Sequence, residues 1–132
     1  MNLFYIFKRR KIRRRRRVVS ISSRKNYLEN KERARELVQA RVEFFAGVYG
    51  VSPNKIFIRN TKSRWGSCST KHNLNFNYRI VFLPSRLADY LIVHELCHLK
   101  EFNHSSRFWD LVGLAMPDYK KLRLALKEVR LK

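Results

Sequence analysis

From Tyr27 onward, apolar residues recur at three- and four-residue intervals, at Ala34, Leu37, Val38, Val42, Phe45, Val48 and Tyr49, with Lys, Arg and Glu between them. That spacing predicts an amphipathic helix, and Gly50 is its natural stop. Ser52 and Pro53 then turn the chain into KIFIRN, a short strand, and RWGSCS reads as another. LNFNYRIVFL alternates apolar Leu74, Phe76, Tyr78, Ile80 and Phe82 with mostly polar neighbours, which predicts a longer half-buried strand. The loop STKHN before it predicts a hairpin. Pro84 and Ser85 open a second helix, RLADYLIVHELCHLK, which is apolar almost all round and therefore belongs in the interior. A third helix is expected from Ser105 to Met116, and a fourth from Pro117 to Val129 through Leu122 and Leu126. These elements give an α+β fold, a small antiparallel sheet packed on helices.

The interior helix carries HELCHLKEFNH, residues 94 to 104. At about 100° per residue, His94 and His98 lie on one face, separated by about 6 Å along the axis, so both imidazoles can reach one ion. Glu95 projects to the side, where it is placed to hold water at the ion and not to ligate it, the arrangement that HExxH encodes. Leu87, Leu91, Ile92, Val93, Leu96 and Leu99 surround the motif, so these polar groups are expected to be buried, at a cost of several kcal/mol without partners. A divalent ion supplies those partners.

A catalytic zinc usually has three protein ligands and keeps one position for water. His104 is preferred as the third, because it stands six residues past His98, the offset of HExxHxxGxxH. Glu101 replaces the glycine of that pattern, so the chain must reverse differently, for which Asn103 in a left-handed conformation is the expectation. The rivals are Glu101, Asp110, Asp118 and Glu128, each otherwise a solvated helix charge. His72 reads as an exposed loop histidine, and Cys68 and Cys97 as packing residues.

At 132 residues the chain is expected to hold one domain. Its net charge of +20 is unusual, and nine of the ten residues of KRRKIRRRRR, Lys8 to Arg17, are basic. Such a balance favours DNA, RNA or another polyanion as a partner. Residues 1–26 are therefore read as a basic arm, with a short strand at Val18 to Ile21, and residues 27–132 as the folded domain. Attachment to a membrane surface through Phe4, Tyr5, Phe7 and the basic run is the weaker alternative. The order of apolar and basic residues at the start reverses that of a signal peptide, and two cysteines without CxxC spacing suit reduced thiols, so a cytoplasmic location is expected.

RWGSCS, NLNFNYRIVFLP, DYLIVHELCHLKEFNHSSRFW and MPDY together resemble the YgjP-like metallopeptidase domain, related to SprT-like and Spartan-type zincins. The resemblance runs from about Tyr27 to Leu126. It implies a zincin-like fold with Zn2+ held by His94, His98 and His104, Glu95 as the catalytic glutamate, and a peptide or protein substrate. It also places RWGSC beside the metal cleft, where an edge strand is suited to an extended peptide, although Trp65 and Gly66 are equally explained by packing. Kinship with Spartan-type enzymes adds proteins associated with nucleic acid as targets. The competing reading is a nucleic-acid-binding module with a structural zinc. A structural site closes with four protein ligands, however, and has no need of Glu95.

Overall fold

The computed structural model describes residues 15–131, with side chains from Arg24 onward. Helix α1 (Arg15–Tyr49) leads into strands β1 (Ile56–Arg59), β2 (Gly66–Cys68) and β3 (Leu74–Asn77) and a 3-10 turn (Tyr78–Phe82). Three helices follow, α2 (Ser85–Cys97), α3 (Ser106–Ala115) and α4 (Tyr119–Glu128). The architecture is α+β, as the periodicity requires.

Ala34, Val38, Val42, Phe45 and Tyr49 form the buried stripe of α1. Gly50, at φ 63°, ends the helix, and the Val51 N–H donates to the Ala46 carbonyl at 3.1 Å, the six-to-one bond of a Schellman cap. At its other end α1 runs back to Arg15, through the segment expected to form a strand at Val18 to Ile21. No Gly or Pro interrupts residues 15–26, and extending an existing helix fixes one residue per hydrogen bond gained. Residues 8–14, the first part of the basic run, lie outside the described residues.

The sheet is mixed and not antiparallel, in the order β1-β3-β2. β2 and β3 form the expected antiparallel hairpin, with Gly66 opposite Phe76, and their tight turn places exposed His72 at φ 62°. β1 pairs in parallel with β3, Ile56 opposite Leu74, because β2 intervenes in the chain and no tight turn dictates direction between the two. β3 is also shorter than the alternation suggests. Asn77 is 1% exposed, and its Oδ1 accepts from the Arg79 N–H at 3.0 Å, which starts the 3-10 turn. Its Nδ2 donates to the carbonyls of Thr61 (2.6 Å) and Arg64 (3.0 Å). Buried Arg79 adds a bond to the Thr61 carbonyl at 3.1 Å. The loop between β1 and β2 is thereby fixed beside the sheet.

Helix α2 is the centre of the molecule, and every residue from Tyr90 to Cys97 is buried. α1 is clamped to it by Arg41, whose Nε and Nη2 donate to the two carboxylate oxygens of Asp89 at 2.8 and 2.9 Å. No helix among the described residues is long and apolar enough to cross a membrane.

Tyr49 joins α1 to α3: its hydroxyl donates to the Leu111 carbonyl at 2.7 Å and accepts from the Ala115 N–H at 3.3 Å. Tyr49→Phe leaves those groups unpaired in a buried contact and is expected to cost about 1–2 kcal/mol, measured by urea denaturation. An unchanged midpoint at unchanged slope contradicts this.

Candidate metal centre

His94 and Glu95 occupy the last turn of α2, and His98 caps it at φ −65°. The Glu101 N–H donates to the Cys97 carbonyl at 2.9 Å, and the chain turns away from the helix. The reversal does not use a left-handed Asn103, because His72 is the only non-glycine residue with positive φ among the described residues. Instead, His98 Nδ1 lies 3.1 Å from the Glu101 carbonyl. A carbonyl can only accept, so Nδ1 carries the proton and Nε2 presents its lone pair. The backbone of Glu101, at the position of the missing glycine, thus orients a histidine. His104 follows, immediately before Ser105, whose Oγ caps α3 by accepting from the Phe108 N–H at 3.4 Å.

The three imidazoles converge. His94 Nε2 lies 3.2 Å from both His98 Nε2 and His104 Nε2. A tetrahedron with zinc–nitrogen bonds of about 2.0–2.1 Å has edges of about 3.3–3.4 Å, so the donor set fits such an ion. Burial, with the two neighbouring imidazoles, holds His94 well below the usual histidine range. Burial likewise brings His104 down to about 4. Three neutral rings with converging nitrogens form a ligand set suited to a cation.

Aromatic rings pack against the three histidines. Phe108 stacks on His98 with centroids 4.4 Å apart, and Trp109 stacks on His104 at 5.9 Å. Tyr119 in turn stacks on Trp109 with centroids 5.2 Å apart, and the Arg123 guanidinium lies 5.0 Å from the Trp109 ring centre. Phe108, Trp109 and Tyr119 are therefore packing residues around the site.

Glu95 is 1% exposed, and its Oε2 has no hydrogen-bond partner. Burial pushes its carboxyl up to about 8, against the opposing charge of Arg64. It lies against β2 at Gly66. A Cβ there would sit 3.0 Å from the Asn75 carbonyl oxygen and 3.2 Å from Glu95 Cγ. Glu95, His98 and His104 open into one cleft of about 330 Å3, closed by Arg64, Ser67, Cys68, Phe102 and Asn103.

Arg64 and Ser67 belong to RWGSC, the segment expected beside the cleft, and do line it, whereas Phe102 was not legible as a site residue. Cys68, expected in the core, is half-buried and lines the cleft, its thiol pushed up to about 11 by burial and by Glu95. Cys97 is buried, as expected. Among the described residues, none of the rival acids joins the histidine cluster. Asp118 pairs with Arg86 at 2.6 Å, and Asp110 and Glu128 are exposed.

Gly66→Ala must displace either the β3 backbone or Glu95, and is expected to lower stability by about 1–3 kcal/mol, read from thermal unfolding. Wild-type stability in that variant would show the contact to be slack.

Two solved structures share this arrangement of elements. Abylysin from Pyrococcus abyssi, crystallised as a metallopeptidase zymogen, is 27% identical, with a TM-score of 0.62 over 70% of this chain and 96% of its own. The metallopeptidase zymogen jannalysin from Methanocaldococcus jannaschii is 22% identical, with a TM-score of 0.60 over 69% of this chain and 94% of its own. No curated protein matches the chain. The pattern of one family covers residues 8–129, from the basic run through β3, the histidine cluster and α4. The chain belongs to the YgjP-like metallopeptidase domain family.

Proposed function

We propose that this chain is a zinc-dependent peptidase in which His94, His98 and His104 hold the ion and Glu95 moves the proton. The observation that carries this reading is the convergence of three imidazoles, with His94 Nε2 3.2 Å from the Nε2 atoms of His98 and His104, beside a buried carboxylate that lines the same cleft. Zinc, when bound, supplies a Lewis acid that acidifies water and polarises a carbonyl.

The side chains of this domain do the rest. Glu95 Oε2 is a buried acceptor without a partner, so it takes the proton of the attacking water. The protonated carboxyl then passes that proton to the leaving amine. Glu101 holds His98 in one tautomer through its carbonyl. β2 pairs on one side only within the described sheet, and its edge is suited to aligning an extended peptide by backbone hydrogen bonds. Phe102, 52% exposed at the cleft, offers an apolar surface for a substrate side chain.

Glu95→Gln is expected to keep about one zinc per chain while peptide hydrolysis falls by about 10²–10⁴-fold, the contribution typical of a general base. Metal content by mass spectrometry and cleavage of a fluorogenic peptide measure the two effects separately. His104→Ala removes a ligand. Since losing a supporting hydrogen bond alone costs 10–100-fold in affinity, the variant should bind zinc at least about a hundredfold more weakly. Full activity in Glu95→Gln, or unchanged affinity in His104→Ala, defeats the assignment.

The charge of +20 favours a second element of this reading, action on proteins associated with DNA or RNA. Six of the residues 8–14 are basic. Deleting residues 1–14 is expected to weaken nucleic-acid binding and to flatten the slope of log K against log salt by several units, at about 0.9 per lost phosphate contact on duplex DNA. An unchanged slope excludes the basic run from that role. A nucleic-acid-binding module with a structural zinc is the alternative, and it predicts binding without hydrolysis in the metal-loaded protein.

A further inference from the structure

The register of the sheet gives it two faces. Gly66 and Cys68 of β2 share one face with Leu74 and Phe76 of β3 and with Ile56 and Ile58 of β1, against the core and α2. Ser67, Asn75 and Phe57 share the other, with Arg59 next along β1 on that side. On that side lies a second cavity, of about 420 Å3, lined by Arg59, Thr61, Ser63, Arg64, Ser67 and Asn75 among others. Arg64 and Ser67 line the metal cleft as well, so the two spaces meet across the edge strand.

The chemistry of this cavity is one-sided. Two guanidinium groups, three hydroxyls and two amides line it, and no carboxylate does. Arg59 is held in place, its Nε donating to Asn75 Oδ1 at 3.1 Å and its guanidinium lying 4.6 Å from the Phe57 ring centre. A guanidinium fixed by a hydrogen bond and an aromatic ring loses little freedom when it binds an anion. The loop that carries Thr61 and Arg64 is equally fixed, through buried Asn77 and Arg79.

We propose that this cavity is a specificity subsite for the carboxylate of an Asp or Glu side chain in the peptide substrate. The proposal rests on the peptidase reading above. A peptide extended along β2 sends alternate side chains to opposite faces of the sheet. One residue faces the metal centre, and its neighbour faces Arg59 and Arg64. An anionic neighbour gains charge-assisted hydrogen bonds there, and a neutral or basic one gains none. The cavity is small and joins the metal cleft through Arg64 and Ser67, which favours a side chain of a peptide held in that cleft over a nucleic-acid backbone.

Fluorogenic peptides in which one Glu is moved through the positions flanking the cleaved bond, each paired with Gln at the same place, test this on the zinc-loaded protein. At one position Glu should raise kcat/KM about five- to tenfold over Gln. Arg59→Gln and Arg64→Gln should each bring that ratio towards one, and Arg59→Glu should carry it below one. The same pairs, bound to zinc-loaded Glu95→Gln protein and followed by fluorescence anisotropy, should give the same preference in Kd without turnover. Ratios near one at every position, or a Glu preference that survives Arg59→Gln, overturn the proposal. Displacement of every peptide alike by short single-stranded DNA, with no preference of Glu over Gln, also overturns it and identifies a phosphate site. Binding that prefers Glu and is lost in Arg59→Gln, without hydrolysis of any peptide, supports the subsite and refutes the peptidase reading alone.

Discussion

Glu95 is a carboxyl group at 1% exposure in the last turn of a helix whose residues from Tyr90 to Cys97 are all buried. Removing it from water costs several kcal/mol unless partners replace the lost solvent. The protein accepts that cost at the one place where a strand comes close enough to cover the group, and the strand comes that close only because residue 66 has no side chain. The sheet, the loop pinned by Asn77 and Arg79, and the clamp of α1 on α2 all serve to keep that contact in register. Apolar burial supplies the stability, and the polar site is inserted into it at positions where every neighbour is already fixed.

How much of this was legible in the sequence depends on the reach of each signal. The periodicity of Ala34, Val38, Val42 and Phe45, and the apolar circumference of α2, report long regular elements, and these formed as read. HExxH is equally local, since two histidines one helical turn apart share a face whatever the rest of the chain does. The position of His104 depends on a loop, yet the count of residues to it was informative because few loops of that length return to the same point. The mechanism of the return was not legible. A backbone carbonyl at Glu101 does what a glycine conformation does elsewhere, and no residue type signals it.

The failures have a common cause. Alternation in LNFNYRIVFL extends beyond the strand because Tyr78 and Ile80 are buried in a 3-10 turn as they would be in a strand, while Phe82 is 59% exposed. What ends the strand is Asn77, a buried amide satisfied by groups at residues 61, 64 and 79. The parallel pairing of β1 with β3 is likewise a long-range choice. The place of Arg64 at the cleft depends on an equally distant group, since its carbonyl is held by the amide of Asn77, thirteen residues later.

His104 is stacked on Trp109, which is stacked on Tyr119, beneath Arg123. Two of the three candidate ligands belong to α2 and its cap, but the third is steadied by rings from α3 and α4. A polypeptide emerging from the ribosome presents His94 and His98 well before Tyr119 and Arg123 exist. His104 itself rests on Trp109 of α3, and that ring is backed in turn by Tyr119 and Arg123 of α4. The cluster is thus complete only when the packing of α3 and α4 on α2 is complete.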